Sequence, residues 1–83
     1  MISIARIDRA KLPADPVATH NSEFGTYATM LAMFPHAGDP SQVAALFEVH
    51  DVDGMRRETR TPEGDAKLRA TGFVEQLEVY YEG

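Results

Sequence analysis

An 83-residue chain with 13 acidic and 8 basic side chains has a net charge of −5. That excludes phosphate-backbone binding as its main work, because nucleic-acid binders present a basic stripe. A composition 43% hydrophobic and 25% charged belongs to a folded domain, and the absence of cysteine excludes a disulfide framework, a thiolate nucleophile and a cysteine zinc site.

Residues 1–7 read as a strand, with Ile2 and Ile4 on one face and Ser3 and Ala5 on the other. Residues 9–16 hold Pro13 and Pro16 and read as a loop. A short helix follows, from Pro16 at its start to Gly25 at its end.

Residues 26–34 admit two readings. As a strand they place Tyr27, Thr29, Leu31 and Met33 on one face and Ala28, Met30, Ala32 and Phe34 on the other, both largely apolar. As a helix they line up Phe24, Tyr27, Leu31 and Phe34. The strand is preferred, because a dense turn cluster (His36, Gly38, Asp39, Pro40) and a second strand-length run over residues 43–49 complete a hairpin.

Asp51 and Asp53 mark a helix start, with helix to about Arg60. Thr61 and Pro62 mark a stronger one, a hydroxyl at the N-cap and proline at the first position. That helix ends at Gly72, suited to the left-handed position. Residues 76–81 form the last strand, with Leu77, Val79 and Tyr81 on one face and Glu78 and Tyr80 on the other. The order predicts one α+β domain over residues 1–83 with a ferredoxin-like split-βαβ plan: a four-stranded antiparallel sheet with helices on one face.

Asp39-Pro40-Ser41-Gln42-Val43, Leu46-Phe47-Glu48-Val49, Asp51-Val52-Asp53, Thr61-Pro62-Glu63, Ala70-Thr71-Gly72-Phe73 and Val79-Tyr80-Tyr81-Glu82 resemble the hairpin turn, third strand, second helix and closing strand of the dimeric α/β barrel superfamily. That group includes the antibiotic-biosynthesis-monooxygenase-like proteins. The resemblance covers about half the chain. It implies a homodimer whose sheets pack into a shared barrel, with a small-molecule cavity between each sheet and its helices. Cofactor-free oxidation of polycyclic aromatics, haem degradation and isomerisation or cyclisation all occur in the group. This chain has no tryptophan and a short first helix, so no catalytic residue is carried over from it. Size alone also favours a homodimer, since small domains bury only ~60% of their unfolded surface.

Histidine is the natural acid–base candidate near neutrality. His20 stands beside Asn21, a pair suited to polarising a carbonyl or enolate, and equally a plain helix-end histidine. His50 closes the third strand and faces either the cavity or the dimer seam. His36 sits in a solvated turn. Glu48 is the carboxylate most prone to burial, through sharing a face with Leu46, or else an ion-pair partner of Arg56, Arg57 or a cross-strand residue. Tyr27, Met30, Phe47 and Tyr80 offer a surface for a flat apolar ligand, or core and seam packing. Arg56, Arg57 and Arg60 read as a solvated helix face neutralised by Glu58, Glu63 and Asp65. No metal spacing is present: with Gly54 at the sixth position of a calcium loop, Val49 and Arg60 would have to be ligands.

The reading is thus a small cytoplasmic enzyme without cofactor, of monooxygenase-like or cyclase/isomerase type. It acts on a hydrophobic, aromatic or polyketide-like molecule, with His50 or His20 as base and Asn21 or a tyrosine hydroxyl polarising oxygen. Tyr27, Met30, Phe47, Glu48 and Tyr80 are the ligand surface. The alternative is a non-catalytic binding or assembly module of the same fold. Neither nucleic acid nor membrane is an expected partner.

Overall fold

Two β–α–β units interleave in the computed structural model, which describes residues 1–82. The elements are β1 (Ile2–Ile7), a 3-10 turn (Arg9–Lys11), α1 (Pro16–Phe24), β2 (Ala28–Pro35), β3 (Gln42–Val49), α2 (Val52–Arg60), α3 (Pro62–Ala70) and β4 (Phe73–Tyr80). The strands form one antiparallel sheet in the order β2-β3-β1-β4. This α+β arrangement is compatible with a ferredoxin-like fold. Residues 28–35 are extended, as the strand reading requires, not helical.

The helix boundaries follow from local chemistry. The Asp15 carboxylate accepts from the Ala18 N–H at 3.0 Å, and Pro16 fills the first helical position, where no N–H is needed. Asp51 caps α2 through the Gly54 N–H at 2.8 Å, and Thr61 caps α3 through the Gly64 N–H at 3.0 Å. Gly72 takes φ +104°, the left-handed position, and ties the turn to β1 by accepting from the Asp8 N–H at 2.7 Å.

Three bulges decide which side chains face the helices. In β2 the register skips Leu31: Met30 pairs with Phe47 and Ala32 with Leu46. One extra residue reverses the alternation beyond it. Met33 therefore joins Ala28 and Met30 on the inner face, and Ala32 and Phe34 turn outward, contrary to the simple alternation. In β4 the register skips Val74 and Leu77, so Leu77 does not share a face with Val79 and Tyr81. β4 also starts at Phe73, three residues earlier than the sequence pattern suggests, directly after Gly72.

The inner face carries Ala5 and Ile7 from β1, Ala28 and Met30 from β2, and Val43, Ala45 and Phe47 from β3, all buried. All three helices lie over this face and border a common cavity with it. The opposite face is open. Ile2, Phe34, Leu46 and Tyr80 on it are exposed, Phe34 by 57%. No helix among the described residues is long and apolar enough to cross a membrane.

Candidate functional site

The space between sheet and helices has a compositional cause. The central strands offer small side chains inward: Ser3, Ala5 and Ala45. Above them α2 contributes only two apolar side chains, Val52 and Met55, along nine residues. Small residues below and a polar helix above leave a cavity of about 510 Å³. That is a size for a small organic molecule. Met30, Met33, Val43 and Phe47 supply its apolar floor.

His20 stands in the cavity wall, carried by α1. Its ring meets Phe47 edge-on at 5.0 Å between centroids and lies 5.7 Å from Phe24. Nε2 lies 3.0 Å from the Ala28 carbonyl. A carbonyl only accepts, so Nε2 carries the proton and Nδ1 holds a lone pair in the neutral ring. Burial lowers the His20 pKa below its ordinary value, opposed by the Ala28 hydrogen bond and by the Glu23 carboxylate. The site therefore holds a neutral imidazole between apolar rings, with Nδ1 as its basic atom.

Asn21 does something different from its neighbour. Its Nδ2 donates to the Met30 carbonyl at 3.1 Å and its Oδ1 accepts from the Met30 N–H at 2.8 Å. The side-chain amide thus pairs with edge strand β2 as a further strand would, and with His20 it locks α1 to that edge. Asn21 does not border the cavity.

The other predicted residues divide between the two faces of the sheet. Met30 and Phe47 are buried on the inner face and line the cavity with His20. Tyr27 is half-buried beside α2, where a Cβ on Gly54 would come within 2.8 Å of its ring, and its carbonyl accepts from the His50 and Asp51 N–H groups at 2.9 Å. His50 lies at the outer face, its Nε2 2.8 Å from Thr29 Oγ1. Glu48, opposite Thr29, and Tyr80, opposite Ile2, also belong to that face. The Tyr80 hydroxyl donates to Glu78, which holds its proton on and raises its pKa. One chain thus brings His20, Met30 and Phe47 together and leaves His50, Glu48 and Tyr80 across the sheet from them.

Two electrostatic expectations are corrected. Glu48 is exposed and among the described residues forms no ion pair: α2, with Arg56 and Arg57, lies over the opposite face, and the cross-strand neighbour is the uncharged Thr29. The arginines of α2 are not neutralised by i,i+4 partners either. Asp65 pairs with Arg69 at 2.9 Å, and among the described residues Arg56, Arg57 and Arg60 enter no ion pair. Arg56 and Arg60, with Thr59 between them, border the cavity. The sequence reading misses this, yet a signal is present: Val52 and Met55 fix the inward side of α2, and 56, 59 and 60 continue the same stripe at helical spacing.

No group of three or more His, Asp or Glu side chains suited to a metal ion occurs among the described residues. Comparison with protein-family models, curated proteins and solved structures finds no match for this chain.

Proposed function

We propose that this chain is a small enzyme that moves a proton on a flat hydrophobic molecule held between sheet and helices, in chemistry of the isomerase or cyclase type. The observation that carries the reading is His20: a neutral imidazole in the wall of a 510 Å³ apolar cavity, with Nε2 engaged and Nδ1 left as a base. Nδ1 takes a proton from a carbon acid beside a carbonyl and returns it elsewhere, while Glu23 favours the transient imidazolium. Met30 and Phe47 hold the apolar body of the ligand. His50 is assigned no part in this step.

The proposed working unit is a homodimer. The outer sheet face is the seam, with Ile2, Ile4, Ala44 and Leu46 at its centre and Arg6, Glu75 and Glu78 around them. A two-fold pair buries the same patch on both copies and removes the apolar surface that a lone chain leaves in water.

The test is a thermal-shift screen of aromatic polyketides, quinones and haem, followed by proton NMR of each binder in deuterated water. A raised melting point, with solvent deuterium entering the ligand in the native protein and not in His20→Gln, supports the enzyme. Binding without exchange selects the alternative, a non-catalytic binding module. The absence of any shift across the set overturns the cavity reading.

A further inference from the structure

The cavity's rim carries a charge arrangement that an apolar ligand does not require. Arg56 and Arg60 stand one turn apart on α2, both exposed, and both border the cavity beside Thr59. Like charges at this spacing repel, weakening an isolated helix by about as much as an opposite pair would strengthen it. The chain has carboxylates to spare, 13 against 8 basic side chains, yet neither arginine enters an ion pair among the described residues. The α3 carboxylate that reaches the cavity, Asp65, is engaged by Arg69 at 2.9 Å. Glu23 borders the cavity from α1, on the helix that carries His20. The α2 side of the rim is therefore cationic in an acidic protein, over a floor of Met30, Ala45 and Phe47.

We propose that Arg56 and Arg60 clamp an anionic head group, so that the molecule held in this cavity is an amphipathic organic acid with its apolar body on the sheet and its carboxylate between the two guanidiniums. This deepens the preceding reading and rests on the cavity being a binding site. Guanidinium suits the role because its planar fork of donors matches a carboxylate and stays charged at every relevant pH. Thr59, between the arginines on the same stripe, adds a hydroxyl whose proton is already donated to the Met55 carbonyl at 2.8 Å, so it does not compete for the anion as a donor.

Fluorescence titration with two dyes of matched shape tests the clamp. Anilinonaphthalene sulfonate presents an aromatic body with one anionic group standing in for the carboxylate; phenylnaphthylamine is the same body without the charge. The expected result with the double variant Arg56→Gln/Arg60→Gln is sulfonate binding weakened roughly tenfold, as for loss of charge-assisted hydrogen bonds, with phenylnaphthylamine unchanged. Arg57→Gln, which does not border the cavity, leaves both dyes unaffected. Unaltered phenylnaphthylamine binding also shows that the double variant is folded. If the native protein binds both dyes and the double variant holds the sulfonate as tightly, the clamp is wrong and the cavity stands. If the native protein binds neither dye, the cavity reading falls and the clamp with it.

Discussion

Phe47 and Leu46 are neighbours on β3 and live in opposite worlds. Phe47 is 9% exposed and faces the helices; Leu46 is 37% exposed and faces outward. The same contrast extends over the whole sheet. The inner face sets Ser3 and alanines among Ile7, Met30, Val43 and Phe47 and is roofed loosely. The outer face shows Ile2, Phe34, Leu46 and Tyr80 with no roof in a single chain. Hydrophobicity by itself does not choose the core side. The helix connections choose it, and side-chain volume then decides whether the space beneath them is filled. Here alanine and serine leave a cavity on the roofed side, and large apolar side chains stand on the open side.

The largest effect should come from breaking the contrast on β3 itself. Phe47→Ala removes a buried ring that also supports His20, and should cost about 3 kcal/mol in urea unfolding, the low end for such truncations because the site already borders a cavity. The loss should be the same at every protein concentration. Leu46→Glu, on the other face, should leave the single chain's fold intact and instead abolish the proposed dimer in sedimentation, removing any dependence of the melting point on concentration. If the native protein sediments as a single chain, or Leu46→Glu sediments like a native dimer, the proposed seam is wrong.

A smaller contrast runs along the sheet's edges. At β4 the edge is disrupted by bulges, and Arg69 Nη1 donates to the Val74 carbonyl at 3.0 Å. At β2 the first part of the edge is covered by α1 through two side chains, His20 and Asn21. Asn21→Ala strips both partners from the Met30 backbone and should cost about 1–2 kcal/mol, with faster hydrogen exchange at the Met30 amide. Asn21→Asp sharpens the point. A carboxylate still accepts from the N–H but sets an anion against the carbonyl, so its stability should fall no closer to the native value than halfway.

How much of this is legible in the sequence depends on whether a period survives. β3 alternates without interruption, and Val43, Ala45 and Phe47 fall on one face as that alternation predicts. The caps at Asp51 and Thr61 and the turn at Gly72 are legible because one residue's chemistry determines each. The β2 faces are not. The bulge at Leu31 has no glycine or proline to announce it, and every residue beyond it changes side. Asn21 reads as a group for chemistry at a substrate, but its partner is a backbone nine residues on, which only the folded edge reveals. The same holds for Arg56 and Arg60: nearby acidic residues such as Asp53 and Glu63 supply partners on paper, and the sheet supplies the cavity.

The gentlest test uses the proton on His20, because it perturbs the inner face without removing an atom. Burial lowers the folded-state pKa, so the native protein holds His20 neutral where the unfolded chain, titrating near its ordinary value of about 6.5, has begun to bind a proton. The unfolded state binds more protons across that interval, and stability must rise with pH there. His20's contribution is complete above about pH 6.5 and is lost as pH falls toward the lowered folded value. Asp39 has a lowered pKa too, set by hydrogen bonds from Ser41, but its titration belongs to the acid range below this window. Subtracting the pH profile of His20→Gln from that of the native protein should therefore leave a component that declines on the acid side of about 6.5 and is flat above it. A component that grows as pH falls would mean that the Glu23 carboxylate outweighs burial and holds the imidazole charged, which would disqualify it as the base.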